Sequence, residues 1–330
     1  MFKDKVKVFV TGSAGLAGSA VCEILKSYSM HFPEIEVITD RTEEGRRLVD
    51  YMDPGALREC FAFIKPDVVV HCAGLVGGIT ANRANQAGFL FNNVCMGMNV
   101  VNTAFMTGVP KVVNLGSTCM YPPDGEHHWE PHYSKRPTSA RLFAGPLEPT
   151  NEGYAIAKSA VARYCEYLQR EQGFQAITLV PTNLYGPHDN YGEGSHAVAA
   201  LIRKFHEAKK QHTAVYLLGT GKPVRQFMHA FDLARAVRLA IFRYSGPEPL
   251  DVAPHVSCTI RQLADVIQRT VDGDVEVHWD NNPDNDGARS KLYSSSRLQS
   301  LGWKPDFELD EGIEHAYVWF REKVALPLVK

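Results

Sequence analysis

Tyr154-Ala155-Ile156-Ala157-Lys158 sets a phenol and an ammonium four residues apart, on one face if the segment is a helix. A cation beside a phenol favours the phenolate, so the spacing predicts a tyrosine that exchanges a proton below its ordinary pKa of about 10. Ser117, in Leu115-Gly116-Ser117-Thr118-Cys119, follows an apolar run that reads as a strand, and its hydroxyl can hydrogen-bond a carbonyl or alkoxide. Cys119 lies two residues further on. A thiol with a pKa of about 8.5 can serve as a proton carrier once a cation or helix end lowers it, although a cysteine at a strand end is commonly a small apolar filler.

A second group of residues suits a dinucleotide. Thr11-Gly12-Ser13-Ala14-Gly15-Leu16-Ala17-Gly18 stands between a β-branched run and a helical pattern, where glycines let the backbone turn and approach a pyrophosphate at a helix N-terminus. At the end of the next strand an acid would bond a ribose 2′-hydroxyl and an arginine would accept a 2′-phosphate. The chain offers both, Asp40 and Arg41, with Arg46 and Arg47 nearby, and so leaves NAD and NADP open. Asp53 can meet an adenine amino group or cap the helix that begins at Pro54.

Positioning these groups requires parallel strands joined by crossover helices. Val6–Val10, Glu36–Thr39, Val68–His71, Val112–Leu115 and Ala176–Val180 read as strands, and Leu16–Ser29, Pro54–Ile64, Gln86–Thr107 and Tyr154–Gln172 as helices. Further helices are expected at Ser195–Lys210, Ala230–Tyr244, Thr259–Thr270 and Asp310–Lys323, with strands near Ala214–Leu218 and Val275–Trp279. Pro122–Thr150 and Asp280–Arg289 read as long loops. The fold class is α/β: a Rossmann-type doubly wound parallel sheet over residues 1–185, joined by some later segments, with a smaller C-terminal α/β substrate-binding cap mainly in 186–330.

Composition excludes several functions. Thirty-five basic against 37 acidic side chains give a net charge of −2, so no global field draws nucleic acid or an anionic membrane. Seven cysteines without a CxxC spacing fit neither a disulfide framework nor a zinc site, and they point to reduced thiols in a cytoplasmic protein with no metal. Residues 1–20 loosely imitate a signal peptide, but Lys7 interrupts the apolar stretch, and no run is long enough to cross a membrane.

The glycine loop, the strand-end serine and the Tyr154/Lys158 pair together resemble the extended short-chain dehydrogenase/reductase family, over essentially the whole chain. Val76-Gly77-Gly78-Ile79, Ser117-Thr118-Cys119-Met120-Tyr121-Pro122, Glu148-Pro149-Thr150-Asn151-Glu152 and the stretch from Pro181 to Asn190 (PTNLYGPHDN) narrow the resemblance. They are similar to the branch that converts GDP-4-keto-6-deoxy-D-mannose to GDP-L-fucose by 3,5-epimerisation and 4-keto reduction. The resemblance implies that Ser117, Tyr154 and Lys158 serve the reduction, and that Cys119 and His196 are the acid and base of epimerisation. It also implies NADP(H), held by Gly12, Ser13, Gly15, Leu16 and Gly18, by Arg41 and Asp53, by Leu115 and Gly116, and by Lys158, Pro181, Asn183, Leu184 and His196. The GDP-linked keto-deoxy sugar would meet Ser117, Tyr154, Asn183, Lys204, Leu218, Arg225 and Lys291, and a homodimer would pair the helices at Gln86–Thr107 and Tyr154–Gln172.

Chemistry accounts for the extra pair, since a C4 ketone acidifies the protons on C3 and C5 and each inversion needs a base and an opposed acid. His188, in a Gly-Pro-His-Asp loop, competes with His196 for that role. The chain departs from the branch in a longer segment at Pro122–Thr150, in Lys204 where arginine is frequent, in Leu218 where some members have tryptophan, and in Ala14 and Asp40 beside the coenzyme ribose. A GDP-colitose-forming relative and a non-catalytic nucleotide-binding regulator are the competing readings. The Ser/Tyr/Lys set speaks against the second, and the lack of an acid beside Thr118 speaks against a dehydratase.

Overall fold

A computed structural model of the chain describes residues 4–28, 34–122, 142, 145–271 and 274–325. Six strands form the central sheet: β1 (Lys5–Thr11), β2 (Glu34–Thr39), β3 (Val68–His71), β4 (Lys111–Leu115), β5 (Gln175–Pro181) and β6 (Leu250–Val252). Their spatial order is β2-β1-β3-β4-β5-β6, and every pairing is parallel. The chain leaves β1 to opposite sides for β2 and β3, which opens a crevice at the carboxyl ends of these strands, where the glycine loop begins.

Nine helices are used below: α1 (Leu16–Ser27), α2 (Pro54–Ile64), α3 (Ile79–Ala84), α4 (Gln86–Met106), α5 (Glu152–Gln172), α6 (Ala197–Gln211), α7 (Ala230–Arg243), α8 (Ile260–Val271) and α9 (Leu309–Phe320). Alternation along β1 sorts them into layers. Val6, Val8 and Val10 face α1 and α7, whereas Phe9 faces α2, α4 and α5. Burial on both faces is why these strands read as unbroken β-branched runs.

A separate apolar cluster forms the cap, from α6, α8 and α9 with Tyr185, Val215 and Leu217. Small sheets complete it: Val224–Arg225 between Cys258–Thr259 and Ser290–Lys291, Val277–Trp279 beside Val215–Leu217, and Asn183–Tyr185 beside Phe227–His229. Between the cap segments the chain returns to the first lobe. α7 and β6 both belong to the core around the central sheet, as do Leu298 and Trp303.

Boundaries differ from the sequence reading by one or two residues at several ends. The largest consequence is at α5, which starts at Glu152 with Asn151 as its N-cap residue rather than at Tyr154. Several short elements were not expected: α3, the three-residue strand β6, the sheet around Arg225, the pair Asn183–Tyr185 with Phe227–His229, and a helical turn at Ser296–Ser300, all too short to carry a period. Asp280–Arg289 is irregular apart from one 3-10 turn at Pro283–Asn285. Most of Pro122–Thr150 lies outside the described residues, with His127, His128, Trp129 and His132.

α4 and α5 pack so closely that a Cβ on Gly97 would stand 2.5 Å from Val161 Cγ2. Gly97→Val should therefore part the two helices and cost about 1–3 kcal/mol of stability, read as a lowered urea midpoint. An unchanged midpoint would contradict the packing.

Candidate active site

The glycine loop is held from within the chain. Gly12 has φ +66, and a Cβ on it would stand 2.7 Å from Ala73 N, while one on Gly18 would stand 2.1 Å from Gly12 O. Gly15 is different, because a Cβ there would meet only Gly12 O, at an ordinary 3.5 Å. Protein packing does not demand glycine at this position, whereas close approach of a phosphate does. α1 has neither a side-chain cap nor an acid in its first turn, so its leading N–H groups and its dipole favour an anion.

Asp40 is turned inward and is only 1% exposed. It accepts hydrogen bonds from Gly12 N and Ser13 N, each at 3.0 Å, and from the hydroxyls of Ser13 and Tyr51. Burial pushes the Asp40 carboxyl up, but these donors outweigh it and hold the group below its ordinary pKa. The carboxylate thus fixes the loop and is spent as a ribose ligand. Arg41 remains at the edge, donating from Nη1 to Gly45 O at 2.6 Å, with Nε free of any protein partner among the described residues. Arg47 lies over the Tyr51 ring. Asp53 caps α2, accepting from Gly55 N at 2.7 Å and Ala56 N at 3.2 Å.

At the end of β4 the catalytic candidates converge. Gly116 N donates to Leu179 O at 2.8 Å, and Ser117 opens a 3-10 turn by accepting from Cys119 N at 3.2 Å. Buried Lys158 donates from Nζ to Leu115 O at 2.9 Å and lies 5.8 Å from the Tyr154 ring centroid. Burial lowers its pKa to about 8. Burial likewise pushes the Tyr154 phenol above its ordinary value; the nearby Cys119 thiol adds to this, and a hydrogen bond with Ser117 offsets part of it. The expectation of a lowered phenol pKa is thus not met in the protein alone, because desolvation by burial is the largest influence on the phenol.

The Cys119 thiol is engaged by a residue that spacing did not mark, since Asn151 Nδ2 donates to its Sγ at 3.1 Å. Asn93 on α4 also escaped notice. It clamps Leu75 by accepting from N at 2.9 Å and donating to O at 3.0 Å, beside Gly74 and the Lys158 ammonium.

His196 is the N-cap residue of α6, with Nδ1 3.6 Å from Asp189 Oδ1. Contact with Asp189 raises the imidazole pKa against the opposing effect of burial. Its segment reaches the site through Gly78, whose N donates to Gly194 O at 2.9 Å and whose absent side chain leaves room for Ser195 O. The other side of the same loop meets Phe89, whose ring packs edge-on against Tyr154 at 6.4 Å. Among the described residues no hydrogen bond or ion pair joins His196 to Cys119. His188 instead has φ +63 and packs its ring at a tilt against Trp319, with centroids 4.8 Å apart, which turns it towards α9.

Arg225 and Lys291 stand opposite each other in parallel register, hence on one face of their sheet. Tyr293 and Gln226 tie that sheet to the catalytic turn: Gln226 Oε1 accepts from Tyr293 N at 2.8 Å, and Tyr293 OH donates to Thr118 O at 3.4 Å. Asn183 donates to Gln226 O at 3.0 Å, Leu184 packs on the central core, and Pro181 pairs with Val252. Lys204 and Leu218 form a second group, Lys204 bonding Tyr216 O at 3.4 Å and Leu218 lying exposed.

A family model for the NAD dependent epimerase/dehydratase family matches residues 8–253. The chain belongs to that family. The chain is 41% identical over 322 residues to a probable GDP-L-fucose synthase 1 of Oryza sativa subsp. japonica, covering 96% of this chain and 93% of the relative. It is 36% identical over 331 residues to the GDP-L-fucose synthase of Escherichia coli (strain K12), covering 97% and 98%. Among solved structures, a GDP-L-fucose synthetase from Naegleria fowleri bound to NADP superposes with a TM-score of 0.83 at 25% identity, over 98% of this chain and 96% of that one.

Removing the Asp189 charge should lower the His196 pKa. The folded value is raised, so the pair contributes stability that is present below the ordinary imidazole pKa and lost as pH rises through the raised one. In Asp189→Asn, NMR titration should find the His196 midpoint shifted to lower pH and that pH slope of stability gone. An unmoved midpoint would exclude Asp189 as the cause.

Proposed function

We propose that this chain carries out NADP(H)-dependent 3,5-epimerisation and 4-keto reduction of GDP-4-keto-6-deoxy-D-mannose, yielding GDP-L-fucose. The observation that carries this reading is the Cys119 thiol set beside Ser117 and Tyr154 and hydrogen-bonded by Asn151. A plain ketone reductase has no use for a second proton carrier at its carbonyl, whereas inversion beside that carbonyl requires one. The names of the plant and bacterial relatives favour the same substrate.

The residues fit the coenzyme. Bare Gly15 and the uncapped start of α1 suit a pyrophosphate, and the sequestration of Asp40 leaves Arg41 to meet a 2′-phosphate, which favours NADP(H) over NAD(H). When bound, that coenzyme supplies the hydride for C4. Ser117 would hold the C4 oxygen, Tyr154 would protonate it as it becomes an alkoxide, and Lys158 would bond the nicotinamide ribose. Before reduction, Cys119 and His196 exchange protons at C3 and C5 while Ser117 and Tyr154 hydrogen-bond the enolate oxygen. Arg225 and Lys291 would neutralise the diphosphate, and Lys204, Leu218 and Asn183 would line the nucleoside and sugar.

The reading extends to a homodimer through α4 and α5, where Phe91 and Met106 stand exposed. No described helix is long and apolar enough to cross a membrane, and seven free cysteines favour a cytoplasmic setting.

Purified protein should oxidise NADPH only when given the 4-keto sugar nucleotide and should release GDP-L-fucose. A dideoxy product instead would point to colitose chemistry, and no oxidation would defeat the reading. Cys119→Ser should stop deuterium exchange at C3 and C5 while NADPH still binds, and Tyr154→Phe should slow reduction by roughly 10²–10⁴-fold. Arg41→Ala should weaken NADPH by about tenfold, with NADH unchanged, as expected for one lost charge-assisted hydrogen bond.

A further inference from the structure

A cleft of about 460 Å³ opens at the end of the sheet opposite the catalytic residues. Tyr28, just past the C-terminus of α1, and Ile35, near the start of β2, lie on its wall, whereas the glycine loop and Ser117 follow the carboxyl ends of β1 and β4.

The rim is cationic and only partly neutralised. Arg235 is paired, with Nη1 3.0 Å from Asp232 Oδ1 and Nε 2.9 Å from Asp306 Oδ2. Arg238, Arg243 and Lys304 line the same cleft, and none has a carboxylate partner among the described residues. Arg238 is held in place with its guanidinium 3.9 Å from the Tyr28 ring centroid, and its Nε is buried without a hydrogen-bond partner. Three cations that share a cleft and have no carboxylate partner among the described residues repel one another and call for an anion.

The C-terminal turn of α7 would ordinarily discourage one, because its free carbonyls carry partial negative charge. Here buried Lys111 reaches from β4 and bonds Ala240 O, Ile241 O and Tyr244 O at 2.9, 2.7 and 2.7 Å. The repelling dipole end is thereby covered. Phe242, Leu239 and the edge of mostly buried Trp303 supply the apolar part of the lining, and the Trp303 indole N–H is tied to Asp232 O. The volume lies within the range of about 300–1,000 Å³ typical of small-molecule sites.

We propose that this cleft is a second, non-catalytic site for a nucleoside diphosphate, its phosphates on Arg238, Arg243 and Lys304 and its base against Phe242. The cleft shares no residue with the proposed substrate site, so each can fail alone.

Calorimetric titration of the NADPH-loaded protein with GDP should register two binding events per chain. Arg225→Met should remove the event at the substrate site. Arg238→Met and, separately, the exposed Lys304→Glu should each weaken the other event at least tenfold, with turnover and the unfolding midpoint unchanged for Lys304→Glu. A single event that Arg225→Met abolishes, or a second event indifferent to Lys304→Glu and Arg238→Met, would overturn the cleft site. Inorganic pyrophosphate binding there as tightly as GDP would overturn the role given to the base. Absence of any Arg225-dependent event from the unmutated protein, with the cleft event present, would count against the substrate reading and leave the cleft standing.

Discussion

A buried ammonium bonded to the last carbonyl of a strand sets the geometry of the candidate active site. Lys158 Nζ on Leu115 O ties α5 to the end of β4, and a charge in that position cannot shift without losing its partner in a desolvated setting. Because Tyr154 precedes Lys158 by one helical turn, the tie also places the phenol; because Ser117 and Cys119 follow Leu115, it places hydroxyl and thiol as well. Four side chains from two distant stretches of sequence are therefore located by one bond. Tyr293 and Gln226 then bring the sheet bearing Arg225 to the same turn.

Burial governs the proton chemistry of this arrangement in opposite directions. It pushes the phenol up and brings the lysine down to about 8, so in the protein alone burial favours the neutral form of each. His196 runs the other way, since Asp189 favours its charged form. The phenol is thus held in its protonated form, while the imidazole is shifted towards its charged one.

Much of this was legible in the sequence, for physical reasons. Strands such as Val68–His71 are buried on both faces and so must be apolar throughout, and a glycine loop between strand and helix has few alternatives. Other features were not legible. β6 has three residues and gains its meaning only from pairing with β5. Asp40 reads as a ribose ligand by position, yet it serves the glycine loop because Tyr51 and Ser13 surround it, which spacing cannot disclose. The four-residue step from Tyr154 to Lys158 correctly marks a shared face but overstates what the cation does to the phenol, since desolvation depends on the whole fold. Asn151 and Asp189 sat inside recognisable stretches, and only their contacts with Cys119 and His196 give them roles.

The path of the chain between its lobes bears on how such a protein can be altered or inherited. After contributing α6 and a strand pair to the cap, it returns to lay down α7 and β6 against the central sheet, then crosses back for α8 and α9. The second lobe is thus woven from several excursions and is not a detachable cassette. Lobe exchange with a relative would need several splice points, and evolution on this scaffold is confined to reshaping individual excursions while the sheet beneath them stays closed.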